Sequence, residues 1–173
     1  MAPRPLDLRI EALAAHHDRG GFSCGVDSLD RYLRTQANQD VRRKANGVFI
    51  VVEPDKPDVV LGYSTLCATG VAQGDVPAAA RKHIPRYPLV SATLVGRLAV
   101  SEARQGERLG AMLLADAVRR AYASAATVGS SMLVVDAISE RAAAFYEGNG
   151  FVRLPDSLRL MLPMRAIQRL VEL

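Results

Sequence analysis

Between Thr93 and Leu114 an apolar segment, a polar turn and the start of a helical pattern follow one another directly. The turn, Gln105-Gly106-Glu107-Arg108-Leu109-Gly110-Ala111, therefore sits at a helix N-terminus. Free N–H groups and the positive end of the helix dipole can hold an anion there, and small residues let a phosphate come close. Gly106 and Gly110 equally suit a turn and tight packing, so spacing alone leaves both readings open. The stretch is not a Walker A loop, because no Lys-Ser/Thr pair follows Gly110, and it lacks the GxGxxG dinucleotide fingerprint. A second group, Ala142, Phe145, Tyr146 and Asn149, falls on adjacent turns of one helix face. Aromatics at that spacing usually pack in a core. A phenol with a pKa near about 10 is also neutral at pH 7 and able to donate a proton.

The flanking elements follow from apolar periodicity. Thr93 to Val100 is apolar except at Gly96 and Arg97, which predicts a mostly buried strand. From Leu109 the pattern predicts a helix with Leu113, Leu114, Ala117, Val118 and Ala121 inward. Ser131 to Ala137 reads as another buried strand. Ser139 is the expected N-cap of a helix over Glu140 to Glu147, stopped by Gly148-Asn149-Gly150. Phe151 to Leu154 and Leu158 to Pro163 give two last strands, and Met164 to Leu173 a short tail helix. Earlier, Leu6 to Leu13 reads as a first strand or extended segment and His16 to Gly25 as a loop. Asp27 or Ser28 is expected to cap a helix reaching Arg43, with Leu29, Leu33, Ala37 and Val41 inward. Val48 to Glu53 and Val59 to Ala68 flank a Pro/Asp-rich turn and predict an antiparallel hairpin, in which Gly62 suggests a bulge or a close backbone approach. A short helix is expected within Val76 to Ile84. Together these predict one α/β domain with a mixed sheet over residues 1–173.

Composition narrows the class. The chain has 173 residues, 49% of them apolar, which suits one globular domain with a sizeable core. No apolar run is long enough to span a membrane, and the N-terminal segment lacks the apolar core of a signal peptide, so a cytoplasmic protein is expected. Cys24 and Cys67 lack metal spacing, and His16, His17 and His83 form no metal motif, so no metal is expected. The net charge of +4 weakly favours polyanionic partners. Two basic clusters stand out: Arg42-Arg43-Lys44, and Arg81-Lys82 with Arg86. The first suits a helix C-terminus and the second a solvated helix face; either could also face phosphates.

Arg97-Leu-Ala-Val100 followed by Gln105 to Ala111 resembles the coenzyme A signature of the GNAT acetyltransferase superfamily: Gln or Arg, two residues, Gly, one residue, then Gly or Ala. Gln105 and Gly110 are in place, and Arg108 stands where that pattern has its middle glycine. Ala143 to Phe151, Ala-Ala-Phe-Tyr-x-x-x-Gly-Phe, resembles a second superfamily feature. The resemblance implies a GNAT-like mixed sheet with splayed central strands and flanking helices, and acetyl-CoA as cosubstrate. It implies that Leu98, Ala99 and Val100 border the pantetheine arm, that Gln105, Gly106, Glu107, Arg108, Leu109, Gly110 and Ala111 border the pyrophosphate, and that Phe145 and Asn149 lie beside the coenzyme. Tyr146 would then be the general acid that protonates the departing thiolate.

Phe22-x-x-Gly25-x-x-x-Leu29-Asp-x-Tyr-Leu33, the hairpin with Gly62-Tyr63, and Pro88 to Val100 resemble the acetyltransferase toxins of bacterial toxin–antitoxin pairs. This implies transfer of acetyl to the α-amino group of charged tRNA, a ribbon-helix-helix antitoxin and a homodimer. Arg42, Arg43, Lys44, Arg81, Lys82 and Arg86 would then contact the tRNA backbone. An independent argument agrees. Thr93 to Val100 carries no carboxylate to act as base, which a lysine of pKa about 10.4 would need; an α-amino group, nearer about 7.7–8.0 and lower in an ester, does not. The alternatives are an N-acetyltransferase for a small amine or a protein N-terminus, and a non-catalytic acyl-CoA-binding module.

Overall fold

The structure, a computed structural model, describes residues 7–171. Leu6, assigned above to the first strand, and the last two residues of the tail helix lie outside the described residues. The N-terminal elements are β1 (Arg9–Ala12), α1 (Asp27–Thr35), α2 (Ala37–Arg42), β2 (Gly47–Val52) and β3 (Gly62–Ala72). Then come α3 (Ala78–Arg81), β4 (Leu89–Val100), α4 (Leu109–Ala125) and β5 (Met132–Asp136). The chain ends with α5 (Glu140–Gly148), β6 (Val152–Arg153), β7 (Arg159–Pro163) and α6 (Met164–Val171). Strand order is β1-β2-β3-β4-β5-β7-β6. β4 and β5 run parallel while β1–β2, β2–β3, β5–β7 and β6–β7 are antiparallel, so the sheet is mixed, as expected.

The chain divides into two compact units. The first holds residues up to Leu66 together with Arg97–Ala117. Its β2 alternates Val48, Ile50 and Val52 into a cluster with Phe22, Leu29, Tyr32, Leu33, Tyr63 and Ala99. Val51 points the other way, into a cluster with Leu61, Leu109 and Leu113, against which Leu98 and Val100 pack. Burying apolar side chains on both faces makes this part of the sheet a core rather than a surface. Gly62 is a close approach and not a bulge. A Cβ there would stand 2.8 Å from the Ala99 carbonyl oxygen and 3.1 Å from Leu113.

The expected single helix over 27–43 is two helices, broken at Gln36 with φ −120° and ψ −33°. Tertiary bonding explains the break. The Tyr32 hydroxyl donates to the Asp40 carboxylate at 2.8 Å, and Asn46 Nδ2 donates to the same carboxylate at 3.0 Å. In a straight helix residues eight apart are separated by ~12 Å along the axis. The Thr35 hydroxyl also donates back to the Arg31 carbonyl at 2.7 Å, a bond that tends to bend helices. Nor does Asp27 or Ser28 cap α1. Val26 occupies the N-cap without a side-chain bond, and Asp30 accepts the Cys24 N–H at 2.9 Å.

The second unit holds Cys67–Gly96 and the residues from Val118 onward. Its core gathers Val71, Val76, Ile84, Val90, Ala92, Met132, Val134 and Met161. β5 is buried from Met132 to Val135 between β4 and β7, as its apolar run predicts. β4 departs from the expected buried run. It alternates, with Val90, Ala92, Val95 and Ala99 buried and most of the residues between them half-buried. The parallel register runs from Ala92↔Met132 to Val95↔Val135, and β4 continues to Val100.

Candidate active site

One group of candidate residues lies within the first unit. Leu109 and Leu113 are buried against Val51 and Leu61, which fixes the start of α4. Before it the chain turns through Gly106 at φ +86° and Arg108 at φ +63°. The first intrahelical bond runs from the Met112 N–H to the Arg108 carbonyl at 3.1 Å. Among the described residues, no acceptor meets the N–H groups from Gly106 to Ala111. Six consecutive donors at a helix start are able to hold an anion. A Cβ on Gly106 would meet nothing within 4 Å, so the turn is open on that side.

Charge around this turn is organised by Arg104, which sequence reasoning missed. Its guanidinium is half-buried, donates to Glu107 at 2.6 Å and pairs with Glu53 in the β2–β3 connection. Glu107 would otherwise set a negative charge beside an incoming phosphate. The i,i+3 spacing of Arg104 and Glu107 is a sequence signal; Glu53, far away in the chain, gives none. The Gln105 side chain is anchored to the backbone. Its Nε2 donates to the carbonyls of Cys24 at 3.0 Å and Val100 at 3.1 Å, so its side chain holds the turn in place. Arg108 is exposed and has no side-chain partner among the described residues. On β4, Arg97 lies over the Tyr32 ring, 3.5 Å from its centroid. Burial, chiefly, pushes the Tyr32 phenol up to about 12.

A second group lies within the second unit. Ser139 caps α5 as expected, its Oγ accepting the Ala142 N–H at 3.1 Å. Tyr146 is 7% exposed, with its ring edge-on to Phe145 and Phe151 at centroid separations of 5.2 and 5.7 Å. Its hydroxyl has no hydrogen-bond partner among the described residues. Burial alone pushes its pKa up to about 12, so the phenol is a proton donor throughout the physiological range. Asn149 is the C-cap of α5, and its Nδ2 donates to the Phe145 carbonyl at 2.8 Å, which ties this side chain to its own helix. Arg153 donates to Glu140 and Glu147, each at 2.8 Å, and so fastens both ends of α5 to β6.

The two basic clusters fall in different units. Arg42, Arg43 and Lys44 are exposed at the end of α2, where cations suit the helix dipole, and Lys44 leaves the helix at φ +61°. Arg81 is bound to backbone carbonyls, with Nε to Val76 at 2.9 Å and an Nη to Gly74 at 3.3 Å. It lines a pocket of about 650 Å³ with Gln73, Gly74, Lys82, Ile84 and Arg86.

One grouping had no sequence motif. Glu11, His16 and His17 bring their polar atoms within 4.8 Å of one another. The buried His17 accepts the Ala14 N–H at Nδ1 over 2.9 Å, so its Nε2 carries the proton and donates to Glu11 at 2.8 Å. That hydrogen-bonding pattern leaves His17 no lone pair for a cation. No helix among the described residues is long and apolar enough to cross a membrane.

A mixed sheet with a parallel central pair, unbonded N–H groups at the start of α4 and a buried phenol on α5 fit an acetyltransferase of the GNAT type. The family model for the GNAT acetyltransferase domain matches residues 45–153, and the chain belongs to that family. Within it the chain is similar to the tRNA-acetylating toxin of Mycobacterium tuberculosis (strain ATCC 25618 / H37Rv), with 34% identity over 89% of this chain and 90% of the relative. It is also similar to AtaT complexed with acetyl-methionyl-tRNAfMet, with TM-score 0.87 and 32% identity over 95% of this chain and 99% of that one. An AtaT mutant bound to the C-terminus of the antitoxin AtaR and acetyl-CoA gives TM-score 0.82 and 30% identity over 96% and 99% of the two chains.

Proposed function

We propose that this chain is the toxin of a toxin–antitoxin pair and transfers acetyl from acetyl-CoA to the α-amino group of aminoacyl-tRNA, blocking translation. The observation that carries this reading is the run of acceptor-free N–H groups from Gly106 to Ala111, at the position of the coenzyme signature in a chain similar over nearly its whole length to tRNA-acetylating toxins. The pyrophosphate of acetyl-CoA lies against those donors, with Arg104 offsetting Glu107. The pantetheine arm runs along Leu98, Ala99 and Val100. The amine nitrogen attacks the thioester carbonyl carbon, a C–N bond forms, and the C–S bond breaks. Tyr146 gives its proton to the departing thiolate, and the proton lost by the amine goes to water. β4 carries Arg97 and no carboxylate, which suits an amine already unprotonated at neutral pH.

In this reading residues 1–173 act as one acetyltransferase domain in the cytoplasm. The partners are charged tRNA, a ribbon-helix-helix antitoxin and a second copy of the chain. Arg42, Arg43, Lys44, Arg81, Lys82 and Arg86 contact tRNA phosphates, with Arg81 held in position by its bonds to two carbonyls. The test is to incubate the protein with acetyl-CoA and total charged tRNA, and in parallel with polyamines and peptides, and to identify acetylated products by mass spectrometry. Acetyl-aminoacyl adenosine from the tRNA is the expected product. Acetylated amines or peptides with unmodified charged tRNA would overturn the reading.

A further inference from the structure

We propose that the pocket beside Tyr87 receives the unpaired 3′ end of an RNA, with one base stacked on the Tyr87 ring and a backbone phosphate held by the pocket's cations. This rests on the reading of charged tRNA as substrate and names the part of it that is gripped. The pocket, of about 650 Å³, is lined by three cations and no carboxylate. Arg81 is preorganised. Two of its five N–H donors are fixed on the carbonyls of Val76 and Gly74, and the other three have no acceptor among the described residues. Lys82 and Arg86 are exposed and likewise unpartnered. Asp75, the nearest acid in sequence, acts electrostatically on Arg159.

Tyr87 follows Arg86 directly and is 67% exposed, with no ring contact or hydrogen bond among the described residues. An aromatic ring left this open forgoes the burial that normally accounts for one. The segment carrying it is held at both ends. The Gln73 N–H donates to the Pro88 carbonyl at 3.0 Å, Gln73 Nε2 reaches the Pro85 carbonyl at 3.4 Å, and Ile84 is buried. The ring is thus carried on a fixed strap, next in sequence to Arg86 of a pocket with three uncompensated cations. That pairing suits single-stranded nucleic acid, in which unpaired bases stack on aromatic faces while cations track the phosphates. A base inside an A-form duplex keeps both faces stacked and cannot use the ring.

The experiment measures binding of two uncharged RNA hairpins, one with a four-nucleotide single-stranded 3′ tail and one blunt, to the full chain. The wild type is expected to prefer the tailed hairpin by about tenfold. Tyr87→Phe keeps that preference and Tyr87→Ser abolishes it. Lys82→Gln with Arg86→Gln weakens both hairpins and lowers the salt slope by about one for each phosphate that is no longer neutralised. Equal binding of the two hairpins, or a Tyr87→Ser variant that keeps the preference, overturns the inference. So does a Tyr87→Ser variant that leaves RNA binding intact but alters the oligomeric state, which would make this face a protein contact. Acetylation of charged tRNA is measured separately on the wild type. If no charged tRNA is acetylated, the enzymatic reading fails whatever the hairpins do; acetylation with equal hairpin binding defeats only this inference.

Discussion

In the proposed reaction the turn before α4 and the helix α5 would act by opposite means. The turn offers backbone donors, and its side chains are exposed or committed to one another: Gln105 to two carbonyls, Arg104 to two carboxylates. α5 presents a single hydroxyl on a ring packed between two phenylalanines. A site made of N–H groups tolerates changes of side chain, which is why an arginine can stand at position 108. It fails when bulk or negative charge enters the cradle. A site made of one oxygen atom tolerates nothing at that atom and a good deal around it.

The largest effect is therefore expected at Tyr146. Tyr146→Phe should lower the rate of acetyl transfer by about 10²–10⁴ while leaving the melting temperature and coenzyme affinity near wild type, as measured by steady-state kinetics and calorimetry. Wild-type turnover would return Tyr146 to a packing role. Gly110→Asp should weaken acetyl-CoA by at least about tenfold with the fold intact, because it sets a carboxylate among the phosphate donors. Undiminished binding would remove the turn from the coenzyme site.

Smaller changes sharpen the contrast. Arg104→Met should cost about 1–2 kcal/mol in urea unfolding, since it leaves Glu53 half-buried and unpaired and the exposed Glu107 without its partner, and it should weaken the coenzyme several-fold. Arg108→Gly should raise stability by about 1 kcal/mol, because Arg108 holds the left-handed backbone that glycine adopts freely. A loss of stability on that change would show that the arginine side chain is held by contacts. The pH dependence follows from burial of the phenols. Tyr32 and Tyr146 are pushed up to about 12, and Tyr63 is pushed up as well, all by desolvation first. The folded state holds these protons more tightly than the unfolded chain. Stability from this source is intact below pH about 10 and falls as pH rises from about 10 through about 12. Thermal melts across that range should show the decline, and Tyr146→Phe should reduce it.

Much of this was legible in the sequence because it is local. The strand–turn–helix from Thr93 to Leu114, the Ser139 cap and the stop at Gly150 each depend on neighbours within a few residues. What was not legible depends on distant partners. The break at Gln36 is needed for Tyr32 to reach Asp40, and the pairing of Arg104 with Glu53 spans 51 positions. The anchoring of Gln105 and Asn149 was hidden for the same reason: each side chain found a backbone carbonyl that composition and spacing do not reveal. Arg81 is exposed, as a surface cation should be, but nothing in its segment announces that the carbonyls of Gly74 and Val76 turn toward it.

The division between a binding turn and a chemical helix is tested most directly by measuring the acetyl-CoA dissociation constant and the single-turnover rate on charged tRNA for Gly110→Asp, Tyr146→Phe and the double variant. The expected result is that the dissociation constant follows Gly110→Asp alone, the rate at saturating coenzyme follows Tyr146→Phe alone, and the double variant shows both changes at full size. A Tyr146→Phe variant that loses coenzyme as severely as it loses rate would contradict that division.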